Sequence, residues 1–465
     1  MKPRNHAPLL QDLSAAYEQH APRSAALNRR AQQVMVNGGS HSLRLIQPFP
    51  PRLADANGAY IRDADSHELL DFWQGHHANI LGHNPPVVTE ALSRAFASGQ
   101  GLLTGFTDEL QIEVAEILCR QTGAERVRFT TSGALATMYA ILLARAFTGR
   151  ERVLKVGGGW HGAHPWGLVG VHMAAAGQAW GVESEGIPTA VTGEVVVTGY
   201  NDPEALRRSF REHGDRLACF IVEPFIGAGG FILATPEYLR AARELADHYG
   251  VVLIFDEVIS GFRFRAGDLG ALYGVRPDLA AFAKIIGGGM PLAAVAGRGD
   301  IMQLCGRAGG SRVAFSGGTY SAHPAAMLAA RAMLTYLVEH EAEIYPAIGR
   351  LGAALRRAVE DAFAAEGLGP VRCTGEGNAV VEHSSVAIPH FLYRDDRSLA
   401  RPEDVNDPAR CDVLLRDQTL QLALLLEDVH VVHGAGTASA AHTLADITRL
   451  AEACRRAARR IRPYL

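Results

Sequence analysis

Lysine is almost absent from this chain. Of 45 basic residues only Lys2, Lys155 and Lys284 are lysines, and arginine fills every other cationic position. A lysine inside such a fold invites a chemical reason, because arginine cannot supply a deprotonatable amine. Other absences narrow the field further. The six cysteines (Cys119, Cys219, Cys305, Cys373, Cys411, Cys454) show no CxxC spacing. That argues against a disulfide frame or a metal cluster and predicts free thiols in a reducing compartment. No apolar run reaches membrane-spanning length, and Met1 to Arg30 lack a basic-then-apolar signal pattern, so a cytoplasmic protein without membrane contact is expected. A net charge of −4 and a pI of 6.6 offer no electrostatic ground for nucleic-acid binding. No GxxxxGK[ST] occurs, and Gly227-Ala228-Gly229-Gly230 lacks the third glycine of a dinucleotide fingerprint.

What is present is globular: 465 residues, 48% hydrophobic and 20% charged, enough for one large domain and one or two smaller parts. From about Gly82 to Tyr336, short β-rich runs alternate with amphipathic helices. The runs are Val127–Thr131, Arg152–Val156, Glu194–Thr198, Ala218–Glu223, Val251–Asp256, Ala280–Ala283 and Ala293–Gly297. Several are apolar throughout, as strands covered on both faces are, which predicts an α/β fold with a mostly parallel sheet between layers of helices. Thr235-Pro236-Glu237 and Asp202-Pro203-Glu204 read as helix starts, and Gly250 as a stop. The expected division is an N-terminal segment 1–75, a large domain 76–336 and a C-terminal α+β region 337–465. A long helix is expected after residue 336 and an irregular stretch over 386–410, which includes Asp395-Asp396-Arg397. The Arg455–Arg462 stretch alternates with Ala and Ile at helical spacing, which favours a solvated helix face over a nucleic-acid tail.

Four places carry chemistry. Lys284 follows the apolar run Leu279–Ala283 and enters a glycine-rich turn, Gly287-Gly288-Gly289. Burial at a strand end lowers an amine's pKa and makes it a nucleophile for carbonyls; a lysine paired with a carboxylate is the alternative. Asp256 ends the run Val251–Phe255, at the carboxyl end of a central strand, where open α/β sheets keep their ligands. It suits a cofactor ring nitrogen, or else caps the following turn. Thr130-Thr131-Ser132-Gly133-Ala134 leads from a strand into a helix and offers free N–H groups and a positive dipole end to a phosphate. Trp160 and His161 sit among Gly157, Gly158, Gly159 and Gly162, where an aromatic ring can lie flat on a planar cofactor or simply pack in the core. Lys155 reads as structural, on a strand with one polar face. Residues 163–192, with Trp166 and Trp180, read as a loop over the site.

In this order and at these separations the elements resemble the class III aminotransferases among the fold type I pyridoxal-phosphate enzymes, and within them the glutamate-1-semialdehyde aminomutases. The matching stretches include Ile80-Leu81-Gly82-His83, Ser132-Gly133, Trp160-His161-Gly162, Glu223-Pro224, Phe255-Asp256-Glu257-Val258 with Gly261-Phe262-Arg263, Lys284 through Pro291, and Gly318-Thr319.

The resemblance implies pyridoxal 5'-phosphate as cofactor, Lys284 as its Schiff-base lysine and proton shuttle, and Asp256 as partner of its ring nitrogen. Ser132, Gly133 and Ala134 would hold the phosphate, with Thr319 contributed from the other subunit of a homodimer. Trp160, His161, Glu223 and Val258 would surround the ring, and Arg44 would grip a substrate carboxylate. The implied activity is amino-group transfer between a small-molecule donor and a carbonyl acceptor through a pyridoxamine form. An intramolecular aminomutase, a racemase or epimerase, and a non-catalytic cofactor-binding protein are the alternatives.

The sequence also departs from the family's pattern. Ser-Gly-Thr/Ser-Glu-Ala becomes Ser132-Gly133-Ala134-Leu135-Ala136, Trp160 replaces a Tyr or Phe, and His323 stands where Asn precedes Pro324. The acid that handles the substrate amine in the aminomutase aligns with Gly434, in His433-Gly434-Ala435-Gly436.

Overall fold

A computed structural model of the chain describes residues 4–102, 104–172, 180–306, 311–395, 398–432, 434 and 436–465. All seven expected strands form: β1 (Arg126–Thr130), β2 (Arg152–Val156), β3 (Val195–Thr198), β4 (Leu217–Val222), β5 (Val252–Glu257), β6 (Leu279–Phe282) and β7 (Ala293–Gly297). They hydrogen-bond into one sheet of spatial order β1-β7-β6-β5-β4-β2-β3. β3, β2, β4, β5 and β6 run parallel, and β7 runs antiparallel to both of its neighbours.

Side chains alternate across a strand, so a sheet covered on both faces feeds two cores. On β4, Phe220 and Val222 join one core while Cys219 and Ile221 join the other, beneath the helix Gly133–Thr148. On β5 the same split separates Leu253 and Phe255 from Val252 and Ile254. This parity continues beyond the apolar runs. Lys155 follows Val153, Glu223 follows Ile221 and Asp256 follows Ile254. All three polar side chains therefore emerge on the Gly133–Thr148 side, at the carboxyl ends of adjacent parallel strands.

The flanking helices obey their local signals. Thr235 Oγ accepts the Tyr238 N–H at 3.2 Å, Asp202 accepts that of Ala205 at 2.9 Å, and Gly250 closes the helix Pro236–Tyr249 at φ 61°.

The chain's two ends share a third core. Helix Ala7–His20 buries Leu9, Leu13 and Tyr17 against a cluster that includes Leu355, Phe363, Leu424 and Leu450. Strands Leu53–Asn57, Tyr60–Asp63 and Glu68–Asp71 form a sheet that Val429–His430 joins in parallel, opposite Leu70 and Asp71.

Asp71 fastens this junction. Its carboxylate accepts His83 Nε2 and His430 Nδ1, both at 2.7 Å, and the N–H groups of Trp73 (3.0 Å) and Gln74 (2.9 Å). The Ile80–His83 motif thus ends in a ligand of this buried anion.

The long helix expected after residue 336 is Glu341–Ala365, preceded by Pro324–Glu339 with His340 between them. Two expectations need correction. Residues 386–410 begin with a buried strand, Val386–Phe391, paired along Val371–Thr374. Its second neighbour, Gly436–Thr437, pairs with Val386 and Ala387. Asp396 and Arg397 of that stretch lie outside the described residues. Lys155 does not lie on a polar strand face, because β2 is buried on both sides. The last helix, Leu444–Ile461, buries Ala457, Ala458 and Ile461 and turns Arg456 and Arg460 to Glu427, a solvated face. Among the described residues no helix is long and apolar enough to cross a membrane.

Candidate active site

Lys284 leaves β6 after an extended Ala283 and takes φ 52°, a left-handed conformation costly for any residue with a Cβ. It opens the short turn Lys284–Gly287, closed by Gly288 at φ 57°. Its Nζ makes no hydrogen bond or ion pair among the described residues. Burial pushes its amine down to about 8; the charges of Asp256 and Glu223 resist this, and the buried Arg263 adds to it. An amine left without a partner in this way suits carbonyl chemistry better than structure.

Asp256 is buried and ordered from two sides. Its Oδ2 accepts His161 Nδ1 at 2.8 Å and its Oδ1 accepts the Val258 N–H at 3.1 Å. Burial lowers the His161 pKa against the pull of Asp256, and His161 Nε2 is buried without a partner among the described residues. Glu223 takes the Trp160 N–H on Oε1 at 2.9 Å and the Gly227 N–H on Oε2 at 3.0 Å. Burial and the neighbouring Asp256 raise its carboxyl above the ordinary range.

The small-residue turn meets this cluster from the other side. Ser132 caps the Gly133–Thr148 helix, its Oγ accepting the Leu135 N–H at 3.3 Å. The N–H groups of Gly133 and Ala134 donate to nothing among the described residues. A Cβ on Gly133 would lie 2.9 Å from Val258 Cγ1, so the turn closes directly on Val258. Two free amides, a helix dipole and a nearby lysine amine fit a phosphate and a carbonyl on one small molecule.

The loop after β2 supplies Trp160 and His161. Gly162 takes φ 95°, and a Cβ there would meet Ala134 Cα at 2.4 Å, so the loop and the helix start touch backbone to backbone. Thr137 Oγ1 donates to the His161 carbonyl at 2.5 Å. The Trp160 side chain is 39% exposed. Of the expected loop 163–192, residues 173–179 lie outside the described ones. Trp166 packs under Arg145, with Trp180 against Gly157.

Arg44 is exposed and donates through Nε to His76 Nε2 at 3.1 Å, while Thr319 is exposed beside β1. His433 and Ala435 lie outside the described residues. Gly434 sits at φ 104°, where an added Cβ would come within 3.0 Å of Pro389 and 3.3 Å of Arg416.

Sequence reasoning missed Thr137, which carries no local signal because its acceptor lies 24 residues away. It also gave Arg263 no role. That side chain is fully buried, donates to the Ile259 carbonyl at 2.8 Å and to the His77 carbonyl, and leaves Nη1 without a partner among the described residues. His20, His67 and Asp428 bring three donor atoms together, but the two rings stack at 4.0 Å and 8°, so their in-plane lone pairs run side by side and do not converge.

The class III aminotransferase family matches residues 46–389. A glutamate-1-semialdehyde 2,1-aminomutase of Methanoculleus marisnigri is 36% identical over 437 residues, covering 93% of this chain and 98% of that protein. Among solved structures, an omega-transaminase from Sphaerobacter thermophilus superposes with TM-score 0.85 at 32% identity, covering 94% of this chain and 98% of the other. A β-phenylalanine aminotransferase from Variovorax paradoxus gives 0.82 at 31% identity, with 97% of each chain covered.

Proposed function

The chain belongs to the class III aminotransferases, and from that membership we propose that it moves an amino group from a small amino acid, amine or amino sugar to a carbonyl acceptor. The observation that carries the reading is the Lys284 amine, unpartnered and lowered to about 8, beside the buried Asp256–His161 pair. Pyridoxal 5'-phosphate, the family's cofactor, supplies an aldehyde that couples reversibly to amines and a ring that accepts electrons released at the substrate carbon.

The residues present fit that group. Lys284 Nζ binds it and carries the proton to and from the substrate Cα. The Asp256 carboxylate holds a proton on the ring nitrogen, a charge-assisted bond worth about 1.5–3 kcal/mol, and His161 keeps that carboxylate in line. Val258 and Trp160 bound the ring, Glu223 lies toward its 3-hydroxyl, and Arg44 receives a substrate carboxylate. Ser132, Gly133 and Ala134 take the phosphate with the partner subunit's Thr319. A homodimer is supported by the exposed Phe106 and Ile112, which line one surface hollow with Thr319, and by the exposed Tyr320 next to it in the chain. The cytoplasmic location and the division at residues 75 and 336 belong to the same proposal.

Transfer between two molecules is favoured over the aminomutase reaction by Gly434. The aminomutase's acid has no counterpart there, and any side chain would crowd Pro389 and Arg416 in a left-handed backbone.

The test is the visible spectrum of the protein with pyridoxal phosphate, recorded with a panel of amino acids, amines and amino sugars, with and without keto acids. Transfer predicts that one donor alone bleaches the band and that product needs an acceptor. Product without an acceptor would instead identify an aminomutase, and proton exchange at Cα without transfer a racemase. No visible band after adding cofactor would end the reading.

A further inference from the structure

Lys155 is the second of the chain's three lysines, and its environment differs from that of Lys284. It is fully buried on β2 and forms no ion pair with a carboxylate among the described residues. Its Nζ donates to three backbone carbonyls: Gly159 at 2.9 Å, Gly167 at 3.2 Å and Val169 at 2.5 Å. An ammonium has three protons, and here each finds one carbonyl. The acceptors belong to the two limbs of one loop. Gly159 immediately precedes Trp160 and His161, whereas Gly167 and Val169 lie on the returning limb. The limbs are also tied by the Gly158 N–H to the Gly170 carbonyl at 2.9 Å.

An arginine does not substitute here. A planar fork of five donors cannot converge on three carbonyls gathered about one point. That is a physical reason for lysine at this position in a chain that uses arginine nearly everywhere else. Thr137 holds the His161 carbonyl and Asp256 holds its ring, so the ammonium completes a frame that fixes Trp160 and His161 relative to the Gly133–Ala134 turn.

We propose that Lys155 is a positioning residue, a buried cation that clamps the loop 157–170 and thereby sets the Trp160–His161 wall of the cofactor site. The proposal rests on the pyridoxal-phosphate reading. It goes beyond that reading by giving Lys155 a task at the site without contact to substrate or cofactor.

The test compares wild type with Lys155→Met, which keeps the stem and removes the ammonium, and with Lys155→Arg, which keeps the charge. Amide hydrogen exchange over 157–170 is followed in protein without added cofactor. Pyridoxal phosphate affinity and the visible circular dichroism of the loaded protein are measured in parallel. Lys155→Met should exchange about tenfold faster in that loop and bind cofactor about tenfold more weakly, the loss expected for a charge-assisted bond. Its visible dichroism should fall while the cooperative unfolding transition is kept. Lys155→Arg should not restore affinity or dichroism. If Lys155→Met does not fold, Lys155→Gln, which keeps two donors, takes its place. Unchanged exchange in the loop would overturn the clamp. Faster exchange with unchanged affinity and dichroism, or full recovery in Lys155→Arg, would overturn its role in positioning. A wild type without a visible band would defeat the cofactor reading alone, since loop exchange still decides the clamp.

Discussion

The Lys284 amine should lose its proton near pH 8 instead of the ordinary 10.5, because burial withdraws the ammonium from water more than Asp256 and Glu223 stabilise it. The consequence for reactivity is large. At pH 7 an amine with pKa about 8 is roughly 9% neutral, against roughly 0.03% at 10.5, a gain of about 300-fold in the form that attacks a carbonyl. The same shift ties stability to pH. Between about pH 8 and 10.5 the unfolded chain binds this proton and the folded one does not, so stability should rise with pH across that window. The lysine poverty of the chain makes the assay simple. Protein labelled at lysine ¹³Cε carries three such residues, and Lys284→Ala and Lys155→Met assign the signals of those two. The Lys284 signal should titrate near 8. Asp256→Asn should move it further down, since the Asp256 charge holds the value up. A Lys284 signal still protonated near pH 10 would refute the burial account, and an upward move in Asp256→Asn would refute the field assigned to Asp256.

Gly162→Ala should destabilise the fold by about 2–4 kcal/mol, combining a left-handed backbone with a methyl forced against Ala134 Cα; a loss below about 0.5 kcal/mol in urea unfolding would contradict that contact. Burial raises the Asp71 carboxyl, but hydrogen bonds from His430 and His83 outweigh it and hold the pKa well below the ordinary range. Its contribution is therefore present above about pH 4 and lost as pH falls further. Asp71→Asn should cost about 3 kcal/mol at neutral pH and flatten the acid limb of the stability curve, and an unaltered limb would remove Asp71 from that role.

Much of the large domain was legible in the sequence. The strand runs were found to within one residue, most directly β4, β6 and β7, where burial on both faces leaves a continuous apolar signature, and the acid after the Val251–Phe255 run marked the carboxyl end of β5. Errors came where a long-range partner overrode a local signal. The stretch 386–410 read as irregular, yet Val371–Thr374 pairs its first residues into a strand, and the alternation around Lys155 suggested a polar face that helix Gly133–Thr148 covers.

By itself the sequence determined the elements, the side of the sheet on which Lys155, Glu223 and Asp256 emerge, and the glycine turn that presents Lys284, since these depend on period, parity and backbone sterics within a few residues. Only the tertiary structure decided what each group meets. His161 finds Asp256 across 95 residues and His430 finds Asp71 across 359. Lys155 gathers its three carbonyls only after the loop has folded back, because hydrogen bonds to distant partners leave no periodic trace in the chain that makes them.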